Sequence, residues 1–316
     1  MARSRSRDRG WPRSPEPLPV PVVDDHTHLE SVLAWEADGW RRDDEGAPVA
    51  GGPPTLEEHL ARAAAAGVDR MVQVGCDLDA AAWTDAAVRA HPALLGAVAI
   101  HPNEAVLHAG VHEVAPDGLD PDPQERHAVP LDEAVARIAD LARANPRIRA
   151  IGETGLDHFR AGPRGREVQR EAFRAHVALA KELGLALQIH DRDAHDEVVD
   201  VLRRDGAPER TVFHCFSGGP GLARVCAAEG WYASIAGPVT FGANDDLRAA
   251  VAELPLRLLL AETDAPYLTP APDRGRPNAP YLLPTTVRGV AAVLGTPLDE
   301  VCAQVSATAE EVYGGW

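Results

Sequence analysis

Short β-rich segments alternate with Ala-rich stretches of helical period along most of this chain, and that alternation admits few architectures. The β-rich segments fall at 20–28, 70–76, 95–101, 148–153, 185–190, 211–215, 231–237 and 256–264. The helical stretches fall at 55–66, 79–91, 131–144, 166–184, 193–205, 219–230, 244–254 and 284–294. In the first of these, Leu56, Leu60, Ala63 and Ala64 share a face, Thr55 stands at the N-cap position and Gly67 closes the helix. Segments such as LGAVAI and RLLLA are apolar throughout, as parallel strands covered on both faces are. Eight strand–helix alternations predict an α/β fold of the (β/α)8 TIM barrel type, whose usual size is about 250 residues. A doubly wound open sheet is the alternative, but it does not account for functional residues on nearly every strand end.

The 316 residues then divide into an Arg- and Pro-rich tail over 1–19, expected to be disordered, and a single barrel domain over 20–316. Two loop insertions, 31–54 and 106–130, follow C-terminal strand ends. They either shape substrate access or are surface insertions without a role. A last helix, 298–313, is expected to pack outside the barrel.

The net charge of −17 excludes a chain that coats nucleic acid passively, because neutralising phosphates takes a basic surface. An enzyme that meets phosphate through bound cations escapes that objection. No apolar run approaches the roughly 20 residues of a membrane helix, and the tail has no apolar h-region. Cys76, Cys215, Cys226 and Cys302 have no CxxC spacing and are expected to be reduced thiols in a cytoplasmic protein. The only lysine, Lys181, lies within the helical HVALAKELG. That argues against Schiff-base barrel enzymes and against hydrolases bridged by a modified lysine.

Polar residues gather at the strand ends. The first strand ends in His26 and His28, the third in His101, the fourth in Glu153, the fifth in His190, the sixth in His214, and the eighth in Glu262 and Asp264. In a closed barrel these ends ring one mouth. The other eight histidines (His59, His91, His108, His112, His127, His158, His176 and His195) take a surface role by default. His26 and His28 share a strand face and can hold one cation together. By the same parity Asp24 is expected to orient one of them, and Asp25 to point away. His26, His28, Glu153, His190, His214 and Asp264 are more ligands than one tetrahedral ion needs. Two divalent metal ions are therefore expected, with a carboxylate such as Glu153 bridging them. Mixed imidazole and carboxylate ligands accept Zn, Mg, Mn or Ni.

The motifs DDHTHL, AIHPN, IGETGLD, IHDRDAHDEV, FHCFSGG and ETDAPYLTP, in this order from residue 22 onward, resemble those of the TatD-related metal-dependent deoxyribonucleases. The resemblance implies that His26, His28, Glu153 and Asp264 hold a first ion, and that Glu153, His190 and His214 hold a second. It also implies that His101 faces the substrate phosphate and that Asp264 doubles as proton acceptor for the attacking water. Glu262, two residues before Asp264, is expected to point to the same side and to join the catalytic group either by direct contact or by supporting a ligand from behind. Arg192 either pairs with phosphate or forms a salt bridge to Asp193 or Asp157. Ser217 and Gly218 resemble a turn that brings backbone N–H groups near an anion. Cys215 is expected to face the helices. The chain departs from the family pattern at Pro277 and Ala279, which replace arginine and glutamate, and at Glu30, which replaces aspartate.

The expected activity is a divalent-metal-dependent hydrolysis of phosphodiester bonds in DNA, at ends or on single strands, without membrane association. The alternative is an ester or amide hydrolase, acting on aminoacylated RNA or a lactone with the same ions. The sequence leaves the oligomeric state open, and a monomer is compatible with it.

Overall fold

The apolar runs form eight strands in the computed structural model, which describes residues 10–35 and 54–316. They are β1 (Val22–Thr27), β2 (Val68–Gly75), β3 (Leu94–Val98), β4 (Ile148–Asp157), β5 (Ala186–Arg192), β6 (Thr211–Phe213), β7 (Tyr232–Ile235) and β8 (Leu259–Ala261). Each pairs in parallel with the next, in chain order. At the seam, Asp264 N–H donates to the His26 carbonyl (3.0 Å) and His28 N–H to the Ala265 carbonyl (2.9 Å). The Asp24 carboxylate accepts from both the backbone N–H and the hydroxyl of Thr263 (2.9 and 2.6 Å). The expected barrel is therefore present, with β8 returned to β1.

Helices cover the outside: α1 (Leu29–Trp35), α2 (Leu56–Ala65), α3 (Leu78–Ala90), α4 (Pro102–His108), α5 (Leu131–Ala144), α6 (Pro163–Leu183), α7 (His195–Asp205), α8 (Pro220–Glu229), α9 (Asp245–Glu253), α10 (Leu283–Leu294) and α11 (Leu298–Tyr313). Thr55 caps α2 in a reciprocal capping box with Glu58, the local signal its sequence position carried. Two apolar cores result, as strand alternation requires. Met71, Leu94, Ile148, Ile151, Leu187 and Phe213 face the helices. Val23, Val72, Leu95, Ala97, Ala150, Ala186, Val212 and Leu260 fill the barrel, whose floor is closed by Val312 and Tyr313 at the end of α11. Among the described residues, no helix is long and apolar enough to cross a membrane.

Of the tail expected over 1–19, residues 1–9 lie outside the described part, and the remainder is not free. Arg62 of α2 donates to the Pro12 carbonyl and to the Ser14 hydroxyl (both 3.0 Å), and its guanidinium lies over the Tyr281 ring. Tyr281 donates to the same Pro12 carbonyl (2.7 Å), Arg288 to Pro17, and Leu18 N–H to Ala66. Proline removes donors but leaves strong carbonyl acceptors, so a Pro-rich segment docks wherever side-chain donors meet it. In the insertion 31–54, residues 31–35 belong to α1 and 36–53 lie outside the described residues. The insertion 106–130 is tied down: Glu113 accepts from Gly165 N–H (3.1 Å), and Asp117 pairs with Arg160 (3.6 Å).

Candidate metal centre

The expected ligands stand near or just past the C-terminal ends of their strands, except Glu153, which lies midway along β4, and the backbone there has a cause. On β1 the pairing runs Asp24 to Met71 and then Thr27 to Gln73, three steps against two on β2. This bulge reverses the alternation halfway along the strand. It corrects the parity reading of DDHTH. Asp25 turns into the barrel, where its carboxylate accepts from Ser234 (2.6 Å) and Tyr313 (3.0 Å). Asp24 braces the seam instead of orienting a histidine; burial raises its pKa to about 8 despite the bonds from Thr263. On β4, Gly155 has φ +147°, and a Cβ there would meet the His190 carbonyl at 2.0 Å. Only glycine lets β4 and β5 approach this closely, which sets His190 beside Glu153. Asp264 (φ 52°) and Cys215 (φ 41°) are left-handed, so the chain turns sharply just at or after a candidate ligand.

Glu153 is the centre of the cluster. Its Oε1 lies 3.6 Å from His26 Nε2 and 3.5 Å from His28 Nε2. Its Oε2 lies 2.9 Å from His190 Nδ1 and 2.6 Å from His214 Nε2. Asp264 Oδ1 joins the first group, 3.4 Å from His28 Nε2 and 4.0 Å from His26 Nε2. His26 and His28 bring their Nε2 atoms within 3.2 Å of one another. Two ligands of one tetrahedral zinc, each about 2.0–2.1 Å from it, stand about 3.3 Å apart, so these separations are those of a coordination shell.

Hydrogen bonding agrees with a cation. His28 Nδ1 donates to the Val74 carbonyl (3.0 Å), which leaves Nε2 as a lone pair toward the cluster. His190 Nε2 faces Asp157 Oδ2 (3.3 Å), which leaves Nδ1 as a lone pair 2.9 Å from Glu153 Oε2. Two acceptors that close require a proton or a cation between them. With protons as the only cations, the pKa of His190 rises to about 9; burial opposes this, but the carboxylates of Asp157 and Glu153 prevail. Burial likewise opposes the charge of Glu153, yet His214, His101 and His190 hold its carboxyl well below the usual range. The residues present fit divalent cations.

His101 stands closer to the ligands than expected. Its Nε2 lies 3.3 Å from His190 Nδ1 and 3.8 Å from Glu153 Oε2, while Nδ1 accepts from Asn103 N–H at the start of α4 (3.1 Å). Burial, and then the charge of His190, lower its pKa to about 4. Glu262 lies fully buried behind His214, 3.4 Å from its Nδ1, and accepts from Cys215 N–H (2.8 Å). It therefore orients His214 and does not reach the mouth. Ser217 is exposed and spends its hydroxyl on the Asp191 carbonyl (3.2 Å). Arg192 makes neither expected salt bridge among the described residues; its guanidinium lies over the Phe159 ring, 4.0 Å from the centroid. Cys215 does not face the helices. Its left-handed turn brings the thiol into the field of Asp264, Glu262 and Glu153; burial and then these carboxylates push its pKa up.

Several residues reach the site that the sequence reading did not place there. Gln73 accepts from Leu29 N–H (2.7 Å) and donates to Glu30, clamping the turn after His28. Cys76 Sγ lies 3.3 Å from Glu153 Oε1. Asp157 braces His190 and is itself held by Asn103 (3.1 Å). It lies four residues after Glu153 on one strand, and that parity was the available signal. Three of the histidines given a surface role, His59, His108 and His176, are buried. A further imidazole–carboxylate group, Glu104, His108 and His127, has its charge already met. Arg126 donates to both Glu104 oxygens (2.7 and 3.0 Å), and His127, whose Nδ1 accepts from Gln124, must present Nε2–H to the same carboxylate. That group anchors the insertion 106–130.

The family model described as TatD related DNase matches residues 23–314. A Mycobacterium tuberculosis protein named as an uncharacterized metal-dependent hydrolase TatD is 39% identical over 300 residues, covering 93% of this chain and 99% of its own. The Erwinia amylovora protein named 3'-5' ssDNA/RNA exonuclease TatD is 38% identical over 189 residues, 58% of this chain and 72% of its own. Among solved structures, the Escherichia coli TatD homologue YJJV superposes with a TM-score of 0.74 over 92% of this chain and 97% of its own. At 24% identity that likeness shows the fold alone.

Proposed function

The chain belongs to the TatD-related DNase family of metal-dependent hydrolases, and from that premise we propose that it is a nuclease acting on single strands or ends of DNA with two divalent cations, both of which Glu153 would help to hold. The observation that carries the number two is the division of the Glu153 oxygens, Oε1 toward His26 and His28 and Oε2 toward His190 and His214. His26, His28, Asp264 and Glu153 Oε1 would hold one cation, and His190, His214 and Glu153 Oε2 the other; the identity of each is Zn, Mg, Mn or Ni. When bound, such a pair supplies an acidified water and neutralises phosphoryl oxygens during in-line displacement.

The remaining work falls to side chains. Asp264, the most exposed carboxylate of the first group, accepts the proton of the attacking water. His101, half-buried at the rim, presents its imidazole to the phosphate. Glu262 holds His214 and Asp157 holds His190, and both fix ring orientation in the manner of carboxylate–histidine pairs. The single-strand preference draws on the Erwinia relative's named activity and on the acidic charge of this chain.

Elemental analysis of the isolated protein, with nuclease assays after restoring each cation, tests the proposal. Two equivalents of metal and cleavage of single-stranded DNA are expected. Hydrolysis of carboxyl esters without any cleavage of DNA or of bis(p-nitrophenyl) phosphate would overturn it.

A further inference from the structure

Large hydrophobic side chains are exposed at four places among the described residues, Val114, Leu119, Phe159 and Tyr267. Val114 and Leu119 are aliphatic and belong to the insertion 106–130. The other two are aromatic, and both stand at the mouth. Tyr267 (51% exposed) follows the ligand Asp264 by three residues, with its ring centroid 6.1 Å from that of His28. Phe159 (37% exposed) follows Asp157 by two residues and lies beneath the guanidinium of Arg192, itself two residues past His190. The first aromatic thus borders the His26–His28–Asp264 group, and the second borders His190. Strands β8 and β4 lie four apart in a ring of eight, so the two rings occupy opposite sides of the mouth.

Both loops are braced. Asn278 donates to the carbonyls of Thr263 and Tyr267 (2.8 and 2.7 Å), and Tyr267 N–H returns to Asp264 (2.9 Å). At the other side His158 N–H donates to the Arg192 carbonyl (2.9 Å), Arg160 N–H to Asp157 (2.9 Å), and Arg166 to the His158 carbonyl (2.8 Å). A single exposed aromatic needs no explanation. Two rigidly held ones, on either side of a polar mouth and one stacked with the rim arginine, present flat faces at fixed positions.

We propose that Tyr267 and the stacked pair Phe159–Arg192 are base platforms, each taking one unpaired base on either side of the phosphate that the metal-loaded centre would receive. The inference rests on the nuclease reading and narrows its substrate to strands with unstacked bases. A paired base has both faces covered by its neighbours, so a duplex must fray before either platform is occupied. Stacking on a ring is indifferent to base identity, since every base has a π-face. The site should therefore select single strands without selecting sequence.

Steady-state kinetics on a short oligothymidylate, and on the same strand with abasic sugars at its last two positions, separate these effects. In the natural chain, removing the bases should raise KM by about tenfold or more, the scale of a lost stacking contact. Tyr267→Ala and Phe159→Ala should each raise KM on the intact strand by about tenfold and shrink the penalty for abasic sugars. Tyr267→Phe, which keeps the face, should restore both values. An abasic penalty that persists undiminished in both alanine variants overturns the platforms, as does equal KM for intact and abasic strands in the natural chain. Cleavage of bis(p-nitrophenyl) phosphate alongside that equality would leave the nuclease reading standing and dispose of the platforms alone. Loss of all phosphodiester cleavage by the metal-loaded natural chain would overturn both.

Discussion

Glu153 presents one oxygen to His26 and His28 and the other to His190 and His214, so a change at this side chain reaches both halves of the centre. Glu153→Gln keeps the shape but puts N–H donors where an oxygen must face a cation. Metal content should fall, and kcat/KM on single-stranded DNA should drop about a thousandfold or more, because several kcal/mol of charge stabilisation go with the cations. Wild-type metal content in that variant would refute the shared-ligand arrangement. Asp157 acts at one remove. It holds His190 by Nε2, so that Nδ1 keeps its lone pair toward Glu153. Asp157→Asn should weaken binding of one equivalent of metal by about 10–100-fold in calorimetric titration while the other equivalent binds as before. Equal weakening of both would mean that the two groups do not hold separate ions.

At the scale of elements, α6 sets the end of β3. His176, buried on α6, accepts from Ile100 N–H at Nε2 (3.2 Å) and donates from Nδ1 to Ala172 (2.7 Å), so both nitrogens are committed in the neutral ring. Burial lowers its pKa to about 4 from an ordinary value of 6.5. The unfolded chain takes up this proton below about pH 6.5 and the folded chain only below about 4. Stability contributed here is complete above pH 6.5, falls as pH drops through that window, and is lower by about 3 kcal/mol beneath it. Urea midpoints at pH 7 and pH 4.5 should differ less in His176→Gln than in the natural chain; an unchanged difference would remove His176 from the acid limb. The sequence made His176 look ordinary because a lone histidine on a helix carries no sign of the strand it will meet. Periodicity did reveal all eight strands, and the strand ends revealed the six candidate ligands, because hydrophobic runs and their polar termini are local patterns. What stayed hidden is non-local. The bulge that turns Asp25 inward exists only in the pairing of β1 with β2, and Gln73 and Cys76 reach the site from β2 and the turn after it. Trp11 and Leu18, two apolar residues among prolines and arginines, show their docking only against α2 and the segment around Tyr281.

Taken whole, the molecule carries a net charge of −17 and must nonetheless receive a polyanion. Among the described residues, arginines on the mouth side of the barrel are mostly committed: Arg160 to Asp117, Arg126 to Glu104, Arg276 to Asp273. Arg274 lies over the Phe241 ring. Arg192, stacked on Phe159 and exposed, is the cation best placed to meet a phosphate next to the centre. Among the described residues, attraction of nucleic acid at the mouth therefore falls to Arg192 and to whatever charge bound cations bring, and the net negative charge opposes the strand beyond. A long electrostatic footprint is incompatible with that distribution, because each neutralised phosphate of a single strand contributes about −0.7 to the slope of log affinity against log salt. With about two phosphates engaged, kcat/KM on single-stranded DNA should follow monovalent salt with a slope near −1.4. Steady-state rates across a range of potassium chloride, at saturating divalent metal, provide the measurement. A slope steeper than about −4 would require some six phosphates on the protein and would relocate binding from the mouth to a surface whose charge opposes it.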